Sequence, residues 1–121
     1  MWMVHPRILC RKHLLGEHVE NHMFVASMHK SLRGYVDNNL LELEALPDRH
    51  CALVREMMRR KYKHNSIFDM ETYIKYFDSQ SREVRESRVD RTEALVELLS
   101  RCPECYKRYE NLSEYYRAMD T

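Results

Sequence analysis

The stretch LCRKHLLGEHVENHMFVASMHKSL, residues 9–32, decides the fold of this chain. It contains one glycine and no proline, and its apolar residues recur at helical spacing. We therefore expect a first helix from about Leu9 to Leu32, with Gly34 as its stop. The apolar stripe that we expect to face the core comprises Leu15, Val19, Met23 and Ala26.

An extended arm is expected before this helix, and a second helix after it. Residues 1–8 form the arm, because Pro6 restrains the residue before it and lacks a backbone donor. We expect the arm to pack against the first helix. An Asn-rich turn follows Gly34, and Pro47 then opens a second helix that reaches about Tyr62. The apolar stripe of the second helix comprises Leu46, Leu53, Val54, Met57 and Met58.

The second half of the chain predicts two more helical regions. Asn65 and Ser66 are cap candidates for a third segment, whose apolar stripe is Ile67, Met70, Ile74 and Phe77. The charged stretch 79–91 fits either a solvated helix or a mobile loop. Asp90 and Glu93 have the spacing of a capping box and open a helix that Pro103 stops. The tail after it is rich in tyrosine.

Length and composition indicate one all-α domain over residues 1–121. Glycine occurs twice and proline three times in 121 residues, which leaves few hairpin turns. The formal net charge is +1, so a nucleic-acid site has to come from local clustering of basic residues. No apolar run reaches the length of a membrane span, and no secretory segment is visible. We expect reduced cysteines and a cytoplasmic protein, in the host cytoplasm if a phage encodes it.

One face of the first helix carries acid and imidazole groups together. Helical spacing places His13, Glu17, Glu20, Phe24 and Ser27 on that face. Such a face can perform acid–base chemistry where a cleft covers it. A solvated face with an ordinary His–Glu contact is the alternative, and spacing alone does not decide between them.

Three segments resemble the pyrimidine-dimer DNA glycosylases of the endonuclease V type, in particular a short phage and microbial branch. Residues 13–20, HLLGEHVE, are similar to the His-Leu-x-x-Glu-x-x-Glu segment of that family. Residues 53–62, LVREMMRRKY, resemble a helix that ends in a basic pair and an aromatic. Residues 99–109, LSRCPECYKRY, resemble the tail that packs near bound DNA. The resemblance implies the compact all-α fold of this family and an action on DNA.

The resemblance also implies roles for individual residues. Glu20 corresponds to the catalytic acid. His13 and Glu17 are expected in the DNA-binding site, with Glu17 orienting His13. The amine at the chain's own start, on Met1, would attack the sugar and form a Schiff base, and an α-amine suits this because its pKa is about 8. Elimination would then cut the strand, which makes the chain a glycosylase and abasic-site lyase.

Several positions depart from the family pattern. The bulky Trp2 should keep Met1 in place, and the chain starts slightly short of the family's amine when counted back from His13. Val19 and Met23 stand where relatives carry arginines, and Cys105 stands at the tail tryptophan. A damaged or modified base other than a dimer therefore fits as well. The alternative function is a non-catalytic or differently catalytic relative that serves phage DNA metabolism or counters a host factor.

Basic and aromatic residues supply candidates for DNA contact. Arg59, Arg60 and Lys61 suit phosphates, although basic residues at a helix C-terminus are favourable without DNA. Tyr106 and Lys107 belong to the tail that the resemblance places near DNA. The tyrosines that can stack on bases or pack internally are Tyr106, Tyr109, Tyr115 and Tyr116.

The chain also contains cysteines and histidines with the spacing of metal ligands. Cys102-x-x-Cys105 and Cys10-x-x-His13 have the spacing of paired zinc ligands. His18, His22 and His29 share a helix and suit either a metal or a polar face. We expect no metal and no other cofactor. The expected partner is double-stranded DNA with a damaged or modified base, bound by a monomer.

Overall fold

The computed structural model describes residues 1–64 and 66–112. Over these residues the structure contains seven α-helices and no strand, which confirms the all-α fold. Short 3-10 turns lie at Pro6–Ile8 and Leu43–Ala45. No helix in these ranges is both long and apolar enough to cross a membrane. The α-helices are α1 (Arg11–Ala26), α2 (Arg33–Asp37), α3 (Leu46–Arg59), α4 (Met70–Phe77), α5 (Arg82–Arg85), α6 (Arg91–Arg101) and α7 (Pro103–Asn111).

The first helix is shorter than predicted. It ends at Ala26, where the Ser27 amide donates to the carbonyls of both Met23 and Phe24. The chain then turns, which buries the side chains of Met28 and Leu32. Gly34 lies inside α2 and does not stop α1. The prediction of one helix to Leu32 was therefore wrong.

The inner face of α1 is also not the predicted apolar stripe. Val19, expected in the core, is 66% exposed. Buried polar residues take that place, and two of them have partners elsewhere in the chain. Glu17 pairs with Arg49, for example, and the Asn21 amide donates to the Leu46 carbonyl at 3.0 Å. The residues of α1 that are buried are Leu14, Glu17, His18, Asn21, Phe24 and Val25.

The second predicted helix is present as α3. Leu46, Leu53 and Met57 are buried as expected, whereas Met58 is exposed. The helix ends at Arg59, because Lys61 adopts a left-handed backbone conformation with φ 63°. That conformation cannot continue a right-handed helix.

The third predicted segment begins later and buries a different face. Asp69 caps α4, its side chain accepting from the Thr72 amide at 3.0 Å. Asn65, one of the predicted caps, lies outside the described residues, and Ser66 precedes the helix. Tyr73 is the buried residue of α4, whereas Ile67, Met70 and Ile74 are exposed. The predicted stripe was therefore wrong for those three residues.

The fourth predicted helix is confirmed as α6. The Asp90 side chain accepts from the Glu93 amide at 3.0 Å, as the capping-box spacing predicted. The helix ends before Pro103, which opens α7. The charged stretch before α6 forms only the single turn of α5, and the rest of it is irregular.

The arm lies against α1 and against two groups of buried apolar residues. Met1 belongs to one group, and Val4 to the other. Trp2 packs against both. Met3 between them has φ 56°, a left-handed conformation that lets the arm bend. The arm is thereby packed against the first helix, as predicted. The α-amine of Met1 lies beside that helix.

Candidate active site

The amine of Met1 meets the carboxylate of Glu20. It donates to Glu20 Oε1 in an ion pair and to the Leu40 carbonyl at 3.0 Å. Met1 is only 5% exposed, whereas the Glu20 side chain is 34% exposed. The pair therefore joins a fixed, buried amine to a carboxylate that still reaches solvent.

Glu17, one turn before Glu20, has a different environment. Arg49 donates to both of its carboxylate oxygens, Nε to Oε2 at 2.5 Å and Nη2 to Oε1 at 3.0 Å. Glu17 Oε1 also accepts from the Trp2 amide at 3.1 Å. Arg49 Nη1 donates in turn to the Val4 carbonyl at 2.7 Å. This buried pair thus holds the arm at two points, and its carboxylate faces inward.

A cleft of about 240 Å³ opens beside the amine. Met1, Trp2 and Glu20 line one side of it, and the turn at residues 38–40 lines another. Glu93 and Glu97 of α6 complete the wall, with Arg101 paired to Glu97 at 2.6 Å. The cleft gives a small group access to the amine and to Glu20 together.

The predicted basic residues at the end of α3 differ in how exposed their side chains are. Arg60 is almost enclosed and donates to Glu56, to the Leu9 carbonyl at 2.7 Å and to the Pro6 carbonyl at 3.2 Å. Arg59 also pairs with Glu56, but its side chain is 46% exposed. Lys61 is exposed. Arg60 therefore anchors the segment before α1, and a contact of any of the three with DNA stays a prediction.

Burial alone would raise the pKa of Glu56, but hydrogen bonds from Arg59 and Arg60 outweigh it and lower that pKa below its ordinary value. The same region contains an open cleft of about 240 Å³ lined by Arg7, Arg59 and Arg108. It shares no lining residue with the amine cleft.

The predicted tail residues Tyr106 and Lys107 directly precede Arg108, which lines this cleft. Lys107 is exposed and Tyr106 is 47% exposed, both on α7. Arg108 Nε donates to the Arg7 carbonyl at 2.8 Å, which ties α7 to the arm. Tyr115 and Tyr116, considered for base stacking, lie outside the described residues.

His13 does not face Glu17 or Glu20; three cysteines surround it. Its Nδ1 lies 3.1 Å from Cys10 Sγ and 3.5 Å from Cys105 Sγ. Cys10 Sγ lies 3.8 Å from Cys102 Sγ. All four cysteines of the chain are free thiols. The donor atoms of Cys10, His13, Cys102 and Cys105 lie within 4.8 Å of one another, so these four residues can hold a metal ion.

Four histidines form a second group on another side of α1. His18 and His22 come from α1, His50 from α3 and His64 from the segment after α3. Their donor nitrogens also lie within 4.8 Å of one another. Burial lowers the pKa of His18 to about 4 and also lowers the pKa values of His22 and His50, which favours the neutral form of these three rings. His29, the third histidine considered for a metal, lies beyond the end of α1, so the prediction that it shares a helix with His18 and His22 was wrong. It is exposed and lies outside this group.

Two functional residues were not predicted from the sequence. Arg49 pairs with Glu17, and His50 belongs to the four-histidine group. Both fall between Leu46 and Leu53 on the buried face of α3. Polar residues at core spacing in an otherwise apolar stripe were the available signal. The partners of these residues are far away in the chain, so the pattern did not reveal them.

A family model described as pyrimidine dimer DNA glycosylase matches residues 1–70. Comparison with curated proteins and with solved structures returned no match. The matched range covers the arm, α1, α3 and therefore the Met1 amine, Glu17, Glu20 and Arg49. It extends over more than half of the 121 residues. DNA glycosylases act on DNA, and this chain belongs to the pyrimidine dimer DNA glycosylase family.

Proposed function

We propose that the protein removes a damaged or modified pyrimidine from double-stranded DNA and then cuts the strand at the abasic site. The Met1 amine is the nucleophile and Glu20 the acid–base group. The observation that carries this proposal is the ion pair between them, formed across nineteen residues at the mouth of a cleft. Enzymes that work through an amine need it fixed beside a group that handles its proton.

The first step is attack of the amine on the sugar. Glu20 accepts a hydrogen bond from the amine and is placed to take the proton that the amine has to lose. The amine's lone pair then forms a bond to C1′, and the bond from C1′ to the base breaks. The departing base takes the electron pair of that bond and acquires a proton.

The second step opens the sugar and cuts the strand. The amine nitrogen and C1′ form a protonated Schiff base once the ring oxygen leaves C1′ with a proton. The carboxylate of Glu20 stabilises the positive charge on that nitrogen at short range. Loss of a C2′ proton then expels the 3′ phosphate by β-elimination, and water releases the amine.

The surroundings of the amine support an extruded nucleotide as the substrate. A base inside the double helix does not expose C1′ to a buried amine, so the nucleotide has to leave the stack. Trp2 lines the cleft and offers an aromatic surface for the extruded base. The Leu40 carbonyl and the Glu17–Arg49 pair hold the arm in place while the nucleotide enters.

Basic side chains away from this cleft support binding to the DNA backbone. Arg7, Arg59 and Arg108 line one open cleft, and Lys61 and Lys107 are exposed. Guanidinium groups suit phosphates because they donate two hydrogen bonds in one plane. These residues position the duplex, whereas the amine cleft selects the base.

Strand cleavage on duplexes with an abasic site or a pyrimidine dimer tests the proposal. The parent protein should cut at least one of them. A variant with two residues added before Met1 should bind the same duplex and not cut it, since its amine no longer lies beside Glu20. Cleavage at the parent rate by the extended variant would contradict the proposal. A parent that binds both duplexes and cuts neither would favour the non-catalytic relative.

A further inference from the structure

We propose that Cys10, His13, Cys102 and Cys105 together bind one structural Zn²⁺ ion. This replaces the expectation of a metal-free protein, and it does not rest on the proposed function. Two ligands lie at the start of α1, where Cys10 is the N-cap and His13 is in the first turn. The other two flank Pro103 at the junction of α6 and α7.

Two of the three donor distances match a tetrahedral site, and the third, 3.1 Å between Cys10 Sγ and His13 Nδ1, is shorter. With Zn–S bonds of about 2.3 Å and Zn–N bonds of about 2.0 Å, tetrahedral angles place two sulfurs about 3.8 Å apart and a sulfur and a nitrogen about 3.5 Å apart. Cys10 Sγ and Cys102 Sγ are 3.8 Å apart. Cys105 Sγ and His13 Nδ1 are 3.5 Å apart. A disulfide would instead require a sulfur separation of about 2.05 Å.

Backbone amides donate hydrogen bonds to two of the sulfurs. The Cys10 amide donates to Cys105 Sγ at 3.2 Å, and the Cys105 amide donates to Cys102 Sγ at 3.4 Å. Cys10 and Cys102 are the N-cap residues of α1 and α7. Three thiols and an imidazole are a complete ligand set for structural zinc, which leaves no position for a reacting water.

The site would join parts of the chain that are far apart in sequence. Cys10 and Cys102 are separated by 92 residues. The same metal would fix the N-terminal end of α1, the helix that also carries Glu17 and Glu20. The Trp2 ring packs edge-on against His13, with ring centroids 5.8 Å apart. Zinc therefore would stabilise the arm indirectly, through the helix and the ring on which the arm rests.

Elemental analysis and cobalt substitution test this site. Protein expressed with zinc should contain the metal, Cys102→Ser should lose one equivalent, and Cys51→Ser should keep it, because Cys51 is exposed and outside the group. Parent protein stripped of metal should bind Co²⁺ with a thiolate-to-cobalt charge-transfer band, a readout that does not depend on the variant folding. A folded parent that binds no cobalt through sulfur, or that contains a disulfide among these cysteines, would overturn the proposal.

From a separate observation we infer a second metal site. A divalent transition-metal ion would be bound there by His18, His22, His50 and His64. The Nε2 atoms of His50 and His64 are buried without a hydrogen-bond partner among the described residues. Buried polar atoms normally have a partner, so two unsatisfied nitrogens on histidines of the same group indicate a missing ligand. Imidazole is a good ligand for zinc and related ions.

The separation of the His18 and His22 nitrogens matches a tetrahedral site. Zn–N bonds of about 2.0 Å at tetrahedral angles place two nitrogens about 3.3 Å apart. The Nε2 atoms of His18 and His22 are 3.3 Å apart. The two histidines stand four residues apart on α1, the spacing that puts both on one face of a helix.

Metal content separates this second site from the first. His50→Asn should lower the bound zinc by one equivalent and leave the thiolate-to-cobalt band unchanged. The control is His29→Asn, since His29 is exposed and outside the group. The metal-nitrogen distances from X-ray absorption should show an all-histidine environment in Cys102→Ser loaded with zinc. Equal metal content in His50→Asn and the parent would overturn this inference.

Discussion

Two glutamates on α1, one turn apart, have opposite environments. Glu17 is buried and receives two hydrogen bonds from Arg49. Glu20 is 34% exposed at a cleft and pairs with the Met1 amine, a group that can lose its charge. A carboxylate matched to a permanent cation inside the protein stabilises the fold. A carboxylate matched to a titratable amine at a solvent-accessible cleft can take part in chemistry.

The largest expected effect comes from removing Arg49. Arg49→Met leaves the buried Glu17 carboxylate without its cation, which should lower the free energy of unfolding by about 3–5 kcal/mol. Chemical denaturation measures this. The control is Arg82→Met, because Arg82 is exposed and its pair with Glu86 should be worth about 1 kcal/mol or less. Equal losses in the two variants would show that the Glu17–Arg49 pair is not an anchor.

The second effect concerns the other glutamate. Glu20→Gln keeps the shape of the side chain but removes its charge and its capacity to take a proton. It should slow strand cleavage about a hundredfold or more, the scale for losing one acid–base group. Its melting temperature should stay close to that of the parent. The control is Glu83→Gln, an exposed glutamate on α5, and cleavage by Glu20→Gln at the control's rate would remove the contrast between Glu17 and Glu20.

A third, smaller effect extends the comparison to the arginines at the end of α3. Arg59→Gln with Lys107→Gln should weaken binding to any DNA sequence and reduce the salt dependence, by about one unit of slope for each phosphate that the protein no longer binds. Arg60→Gln should lower stability and change affinity less, because Arg60 donates to Pro6 and Leu9 inside the protein. Binding titrations at several salt concentrations separate the two. If Arg60→Gln alone reduces the salt slope, its assignment as an anchor is wrong.

The fourth and smallest effect is a pH dependence. The pKa of Glu56 is lowered below 4.5, so its contribution to stability is complete above that pH and is lost as the pH falls through the folded-state pKa. The free energy of unfolding should therefore fall less steeply in acid for Glu56→Gln than for the parent. Parallel curves for the two proteins below pH 4.5 would contradict this assignment.

The apolar patterns explain which parts of the fold were predictable. The helices α3 and α6 have one apolar face each, and Asp90 capped α6 as its spacing indicated. On α1 the same reasoning chose the wrong face, because Glu17 and His18 are buried. A sequence pattern treats charge as solvent-exposed unless its partner is known, and the partners of Glu17 are Arg49 and the arm.

The candidate site, like the fold, was predictable only in part. Glu20 and Met1 were predicted from the resemblance, and the structure places them in contact, although their catalytic roles stay a prediction. The grouping of Cys10 with Cys102 depends on a separation of 92 residues that only the folded chain closes. Local spacing indicated each half of that group and did not establish that the halves meet.

Covalent trapping tests most directly whether the Met1 amine is the nucleophile. The protein is incubated with abasic-site DNA and borohydride, which reduces the Schiff base to a stable amine, and the cross-linked peptide is identified by mass spectrometry. We expect the sugar remnant to be attached to the peptide that begins at Met1, at its α-amine. Attachment at a lysine such as Lys61 or Lys107, or no attachment by a protein that cuts the strand, would contradict it.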